Sequence, residues 1–291
     1  MRFCGHRAAI VSLTVLVILS IFAVLSPLTT RYGVNEAVKE PPNYFIPPSK
    51  IAWFGTDDLG RDLYSRLIYG VRVSLVIGVA SAVISVVVGS LVGAAAGFRG
   101  GRFDDIVMRV TDLFLAFPFL VSLLLVRNVL GALDWLRPVI GGVESIRFVI
   151  FLFALFGWMG VARVVRAQVL SLKSREYVEA ARSVGASPRY VIVRHLIPNS
   201  IGPIMVSLTV SVVSAIIGES TLSFFGYGPQ AGDGETSLGL LVAGAKGAVQ
   251  TGNWWLAVFP CGVLGLIALC VNFVGDGLRD ATDPRLDRGD A

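Results

Sequence analysis

Apolar runs near or above the ~20 residues that a helix needs to cross a bilayer recur along this chain, at about 8–28, 71–97, 106–127, 148–166, 200–225 and 254–274. No soluble globular domain needs such runs, so each reads as a membrane-spanning helix. The chain is 54% hydrophobic and only 15% charged, with a mean hydropathy of +0.73. Its net charge of +5 is modest and lies in loops, which makes nucleic acid a poor partner. Loop cations suit topology and anionic lipid headgroups instead. Cys4, Cys261 and Cys270 form no spaced pattern, and two of them fall in an apolar run. They read as free thiols, with no disulfide framework and no metal site.

The first run follows Arg2 and Arg7. A signal peptide also begins this way, but this run is long and lacks a small-x-small cleavage site. It reads as an uncleaved span with the N-terminus in the cytoplasm. Residues 29–70, with Pro41-Pro42 and Pro47-Pro48, read as an extracytoplasmic segment. Within it Thr56, Asp57 or Asp58 can cap a helix on which Leu59, Leu63 and Leu67 share a face, leaving Arg61, Asp62 and Arg66 to polar surroundings. Paired aspartates suggest metal binding or acid catalysis, yet no His or further carboxylate stands nearby at ligand spacing. Capping and salt bridging are the expected roles.

The second span carries Ser81, Ser85, Gly89, Gly93 and Gly97, each four residues from the next. Such a stripe lets membrane helices approach closely and is assigned to packing. The loop 98–105, FRGGRFDD, is expected in the cytoplasm. Pro118 is a possible kink in the third span, residues 128–147 read as an outer loop, and Arg163 and Arg166 mark the cytoplasmic end of the fourth. Trp254-Trp255 open the sixth span as an interfacial anchor. Six spans with both termini inside put 15 of the 25 cationic residues in the cytoplasm, a bias in the expected direction.

Between the fourth and fifth spans lies a polar, basic stretch, residues 171–201, that reads as two short helices around a glycine. Ser174 can cap the first, with Glu176 in its opening turn. Gly185 is a stop residue, since a left-handed position costs glycine nothing. Ser187 and Pro188 restart a helix as N-cap and first residue, and Pro198 ends it or turns it into the next span. A helix–turn–helix protruding from the basic side of a membrane protein is a docking element. The plainer reading is an ordinary amphipathic surface pair, because Glu-Ala-Ala alone is common in any helix.

Glu179-Ala180-Ala181, Gly185 and the run His195-Leu196-Ile197-Pro198-Asn199 resemble the "EAA" loop of bacterial ATP-binding-cassette importer permeases. Gly55, Thr56, Asp57, Gly60, Arg61, Asp62, Ser65, Arg66, Gly70, Arg72, Ser74 and Leu75 match a signature of the dipeptide/oligopeptide/nickel subfamily. So do the E-x-x-L-S-F-x-G-x-G run from Glu219 and the GDGLRD tail from Gly275. The outer loop PQAGDGETSLG departs from the subfamily pattern, keeping Ser237 and Gly239 but lacking its prolines and tryptophan. The resemblance, from about Trp53 to Leu286, implies an all-α membrane protein with six transmembrane helices, the type I importer permease fold and both termini cytoplasmic. Three parts follow: 1–70, a helix plus extracytoplasmic segment; 71–282, five helices carrying the coupling loop; and 283–291, a cytoplasmic tail. It further implies a prokaryotic inner-membrane location and half a pore, completed by a distinct sister permease. Two cytoplasmic ATP-binding subunits and an extracytoplasmic solute-binding protein complete the set. ATP and Mg²⁺ would sit on the partner subunits, with no cofactor on this chain. The substrate implied is a di- or oligopeptide, with nickel or another small solute as the alternative.

The residues agree with a non-catalytic role. No G-x-x-x-x-G-K-[ST] loop occurs, GAKGA around Lys246 lacking the Lys-Ser/Thr step, and there is no HExxH or G-x-S-x-G. A stand-alone secondary transporter would need inverted repeats, broken helices or polar midplane residues, and the sequence shows no internal repeat and few charges in the spans. An intramembrane protease would need a Ser–His or paired-Asp constellation inside the spans, which is absent from the sequence. Glu179 is expected to pair either with groups on the ATPase or locally with Arg175 or Arg182. Glu219, an ionisable group in a membrane helix, either faces a translocation path or caps the turn Gly226–Gly228 near the headgroups.

Overall fold

The computed structural model describes residues 6–38, 44–229 and 236–282. Arg2, Cys4, Pro41-Pro42, most of the PQAGDGETSLG loop and the tail 283–291 lie outside the described residues. Among the described residues there is no β-strand, only two isolated bridges, Ala37 with Arg61 and Thr56 with Asp62. Twelve α-helices carry the fold. They are α1 (Arg7–Val24), α2 (Ser26–Thr29), α3 (Leu63–Arg99), α4 (Gly101–Ala116), α5 (Phe119–Gly131) and α6 (Arg137–Ile140). They continue with α7 (Ile146–Leu172), α8 (Glu176–Ser183), α9 (Pro188–Val191), α10 (Ile201–Phe224), α11 (Leu238–Ala248) and α12 (Trp255–Thr282).

Five of the helical segments are long and apolar enough to cross a membrane, and α4 with α5 makes a sixth crossing if the bent pair is counted as one. The pair is bent by 99°. Pro118 therefore does more than kink a span: Phe117 is extended and the helix stops there, because Pro118 disfavours the helical conformation in the residue before it. The expected loop 98–105 is also shorter than read. Helix α3 ends at Gly100 (φ +67°) and α4 begins at the next residue.

Helix α3 starts at Leu63 and not near residue 71, and its N-cap is Asp62, not Thr56, Asp57 or Asp58. The Asp62 carboxylate accepts from Ser65 N at 2.8 Å and Ser65 Oγ at 2.7 Å, and the residue is buried. Asp57 is otherwise engaged: it accepts from the amides of Leu59 and Arg61 and pairs with the side chains of Arg61 (2.7 Å) and Arg66. Leu59 is exposed while Leu63 and Leu67 are buried. At 37 residues and 1.5 Å per residue, α3 is about 55 Å long, well beyond a hydrocarbon core of about 30 Å.

Helix α3 is the centre of the packing, with α7, α10, α1 and α11 against it. Its small-residue stripe faces α7, where a Cβ added at Gly89 would stand 2.6 Å from the Trp158 carbonyl and one at Gly93 would fall onto the Ala162 backbone. Ser81 Oγ donates to the Ile150 carbonyl, and Ser85 fills the space beside Gly157. Lipid supplies no hydrophobic drive between helices, so this close contact is what holds α3 to α7. Helix α12 packs on α1 and α10, and the His6 ring stands 3.9 Å from the Asp280 carboxylate. That contact brings the start of α1 and the end of α12 to the same side of the membrane. The expectation of a tryptophan pair at the interface holds for half of it. Trp254 is exposed, whereas Trp255 is buried and its Nε1 donates to the Thr56 carbonyl at 3.2 Å, tying the outer segment to α12. Cys261 is exposed and Cys270 buried, both as free thiols.

Candidate functional site

The stretch between α7 and α10 folds as a compact double turn. Helix α8 begins at Glu176 with Arg175 at the N-cap and no side-chain capping bond, so Ser174 does not cap it. Glu176 and Glu179 lie in its first turn, where negative charge suits the helix dipole. The helix closes as a Schellman motif: the Ala186 amide donates to the Ala181 carbonyl and the Gly185 amide to the Arg182 carbonyl, both at 3.0 Å. Gly185 sits at φ +83°. Ser187 Oγ then accepts from the Tyr190 amide at 3.3 Å, with Pro188 in the first helical position.

Pro198 does not end the second helix. It has no N–H to return to the preceding turn, and the hydrogen bonds shift around it. Residues Ile192–Leu196 form a π-turn closed by the Ile197 amide on the Ile192 carbonyl at 2.9 Å. Asn199 Nδ2 donates to the His195 carbonyl (2.6 Å) and Ser200 Oγ to the Leu196 carbonyl (2.8 Å). A 3₁₀ turn, Pro198–Ser200, leads directly into α10.

One face of this unit is sealed. Val178, Val191 and Leu196 are fully buried against Ala94 of α3 and Val165 and Val169 of α7. Arg182 lies over the Phe98 ring at 5.6 Å, and Lys173 Nζ donates to the Gly97 carbonyl at 3.4 Å. The other face is open. Glu179, Ala180, Gly185, Pro198 and Asn199 are exposed, Ala181 is half-buried, and Val184 at the tip is 85% exposed. His195 is half-buried between the rings of Tyr177 and Tyr190. Among the described residues no ion pair reaches Glu179, so its expected pairing with Arg175 or Arg182 is not formed.

The helices that carry this unit also wall a furrow. A cavity of about 590 Å³ lies between α3, α7, α10 and the α4–α5 break, lined by residues such as Ser85, Phe119, Phe156, Ser214 and Thr221 and by no charged residue. A second, of about 1040 Å³, runs along α7 and α10 and reaches Arg175, Asn199 and Arg279. Both are bordered by Gly157, Gly160 and Ser211, so they are two ends of one groove that opens beside the double turn. Arg166 of α7 grips Asp104 of α4 through two hydrogen bonds, at 2.5 and 2.6 Å, and Arg163 pairs with Asp112. These bonds fix α4 to α7 below the break.

Glu219 is fully buried. It is not among the residues lining either cavity, and the turn Gly226–Gly228 is not among its partners. Instead its carboxylate accepts from Ser74 Oγ (3.1 Å), Ser223 Oγ (2.7 Å), Ser237 Oγ (2.6 Å) and the Gly239 amide. The residues that meet it come from α3, α10 and the start of α11. Sequence reading did not find this group, although Ser74, Ser237 and Gly239 were each visible as matches to the subfamily pattern.

Comparison with known proteins agrees with this architecture. The model of the family described as binding-protein-dependent transport system inner membrane component matches residues 85–288, and that of the N-terminal TM domain of oligopeptide transport permease C matches residues 1–48. The dipeptide transport system permease protein DppC of Bacillus subtilis is 37% identical over 287 residues, spanning 99% of this chain and 85% of that protein. The oligopeptide transport system permease protein OppC of Escherichia coli K12 is 36% identical over 284 residues, spanning 98% and 89%. Among solved structures, the inward-facing MetNI methionine ABC transporter matches with a TM-score of 0.60 over 75% of this chain and 96% of that one. At 17% identity that likeness is one of fold. The chain belongs to the family of binding-protein-dependent transport system inner membrane components, as a multi-pass permease of the oligopeptide and dipeptide branch.

Proposed function

We propose that this chain is one membrane-spanning half of an ATP-driven importer for di- and oligopeptides. The partners in this reading are a sister permease, two cytoplasmic ATP-binding subunits and an extracytoplasmic solute-binding protein. ATP and Mg²⁺ sit on the ATP-binding subunits. The observation that carries the reading is the double turn itself, buried on one face against α3 and α7, open on the other, and continuous with α10. Displacing its open face moves α7 and α10 together as a rigid body, and those helices wall the furrow. An alternating opening of the furrow to either side follows from such a rocking motion. No charged side chain of this chain lines the upper cavity, which supports a reading in which the binding protein does most of the selecting.

The test is uptake by the purified complex in proteoliposomes with ATP enclosed on the cytoplasmic side, using labelled di- and tripeptides and nickel as alternative cargo. The reading expects two ATP-binding subunits and a second permease to co-purify, and ATP-dependent peptide uptake that needs the binding protein. A homo-oligomer without an ATPase, or uptake driven by an ion gradient, would overturn it. ATP-dependent uptake of nickel alone would move the substrate to the alternative.

A further inference from the structure

We propose that Glu219 is a positioning residue that fixes α11 across the outer ends of α3 and α10, so that α11 moves with α10 and, through it, with the double turn. The inference rests on the importer reading above and deepens it. Helix α11 is eleven residues long, about 16 Å, too short to span a bilayer. It packs on α3, α10 and α12 through Leu238, Leu241, Ala245 and Ala248, all buried. Apolar contacts between helices in lipid gain little over contacts with lipid itself, so they do not set a register. The polar cluster at its N-terminus does.

The hydrogen bonds there have a fixed direction. The Leu238 amide donates to Ser74 Oγ and the Leu240 amide to Ser237 Oγ, each at 3.1 Å. Both hydroxyls accept from an amide and send their own protons to Glu219, as does Ser223 Oγ, and the Gly239 amide adds a fourth donor. A carboxylate, which only accepts, completes a set composed of donors, and it lies at the positive end of α11. The approach is close enough to require glycine. A Cβ at Gly239 would stand 2.6 Å from Ser220 Cα and 2.8 Å from Glu219 Oε1, and one at Gly70 of α3 would be 3.2 Å from the Leu238 amide. Helix α10 runs unbroken from the double turn to this cluster, a rise of about 27 Å from Ile201 to Glu219. It is a direct lever between the cytoplasmic docking face and α11.

The experiment reads peptide taken up per ATP hydrolysed by the complete complex in proteoliposomes, a ratio that does not change with the amount of folded complex. Glu219→Ala leaves four buried donors without an acceptor, and the ratio is expected to fall about tenfold or more while ATP hydrolysis continues. Glu219→Gln keeps an oxygen for Ser223 and Ser237 and is expected to stay within about threefold of wild type. Glu219→Leu, similar in size but without an acceptor, is expected to fall with Glu219→Ala, which separates the hydrogen-bonding role from simple filling of space. An unchanged ratio in Glu219→Ala, or equal ratios in Glu219→Gln and Glu219→Leu, overturns the proposal. Should Glu219→Ala fail to reach the membrane, Ser237→Ala removes one donor at little change in volume, and an unchanged ratio there overturns it equally. Absence of ATP-driven uptake in the wild-type complex would instead count against the importer reading.

Discussion

Gly89→Ala on α3 measures how much of this fold depends on one close helix contact. The added Cβ would stand 2.6 Å from the Trp158 carbonyl oxygen and 2.7 Å from Val161 Cβ. Ordinary contact begins at 3.4 Å, so relief needs a separation of about 0.8 Å, enough to forfeit much of the dispersion energy along the seam. Neither neighbour is the free end of a flexible side chain, and overpacking of this kind costs about 1–3 kcal/mol. Gly160 on α7 is the control, since a Cβ there meets nothing within 4 Å and alanine gains up to about 1 kcal/mol of helix propensity. Unfolding in detergent can be followed by the reactivity of the buried Cys270 thiol, with Cys4 and the exposed Cys261 replaced by serine. Each kcal/mol moves the midpoint by about 2–4 °C in a chain of this size class. Gly89→Ala should therefore lower it by several degrees while Gly160→Ala leaves it level or raises it. Equal midpoints for the two would refute the close-packing argument.

Three further predictions concern other parts of the chain. Gly185→Asp and Glu179→Lys, both on the open face of the double turn, should abolish ATP-driven uptake with insertion intact. Normal uptake by both variants would remove the coupling role of that face. Asp104→Ala strands the Arg166 guanidinium that it holds by two bonds, at about 1–2 kcal/mol because Arg166 is partly exposed. A double-mutant cycle with Arg166→Ala that gives a coupling near zero would contradict it. Trp255→Phe removes the donor to the Thr56 carbonyl, worth about 1 kcal/mol. Faster limited proteolysis within residues 44–62 is the expected sign, and an unchanged digestion pattern would show that the bond does not anchor the segment.

What was legible in the sequence was local chemistry and period. Gly185, Ser187 and Pro188 took the expected conformations, because a left-handed stop and a Ser-Pro start are decided by the residues themselves. The four-residue spacing from Ser81 to Gly97 likewise fixed a single face, whatever its neighbour was to be. What could not be read depended on distant partners. Asp57 was a plausible cap until Arg61 and Arg66 claimed it, and the cap passed to Asp62. The site around Glu219 joins Ser74, 145 residues away in sequence, to Ser237, 18 residues away, a pairing that no local pattern contains. Pro118 announced a kink within one span, whereas the structure breaks the helix there and bends the pair by 99°, an angle set by what α4 and α5 pack against.

The break at Phe117-Pro118 says where water has to be. No capping bond closes α4 there, and Pro118 has no amide proton to offer. A helix end leaves its last carbonyls without partners, and the start of α5 leaves amides in the same state. In hydrocarbon each such group costs several kcal/mol, so acyl chains cannot lie against this point. It borders the cavity instead, through Leu115, Phe119 and Leu120, and the orphaned backbone dipoles must be solvated from that side. Hydration of this wall is thus imposed by a discontinuity in the main chain, at a place where the cavity offers no ionised side chain to attract it.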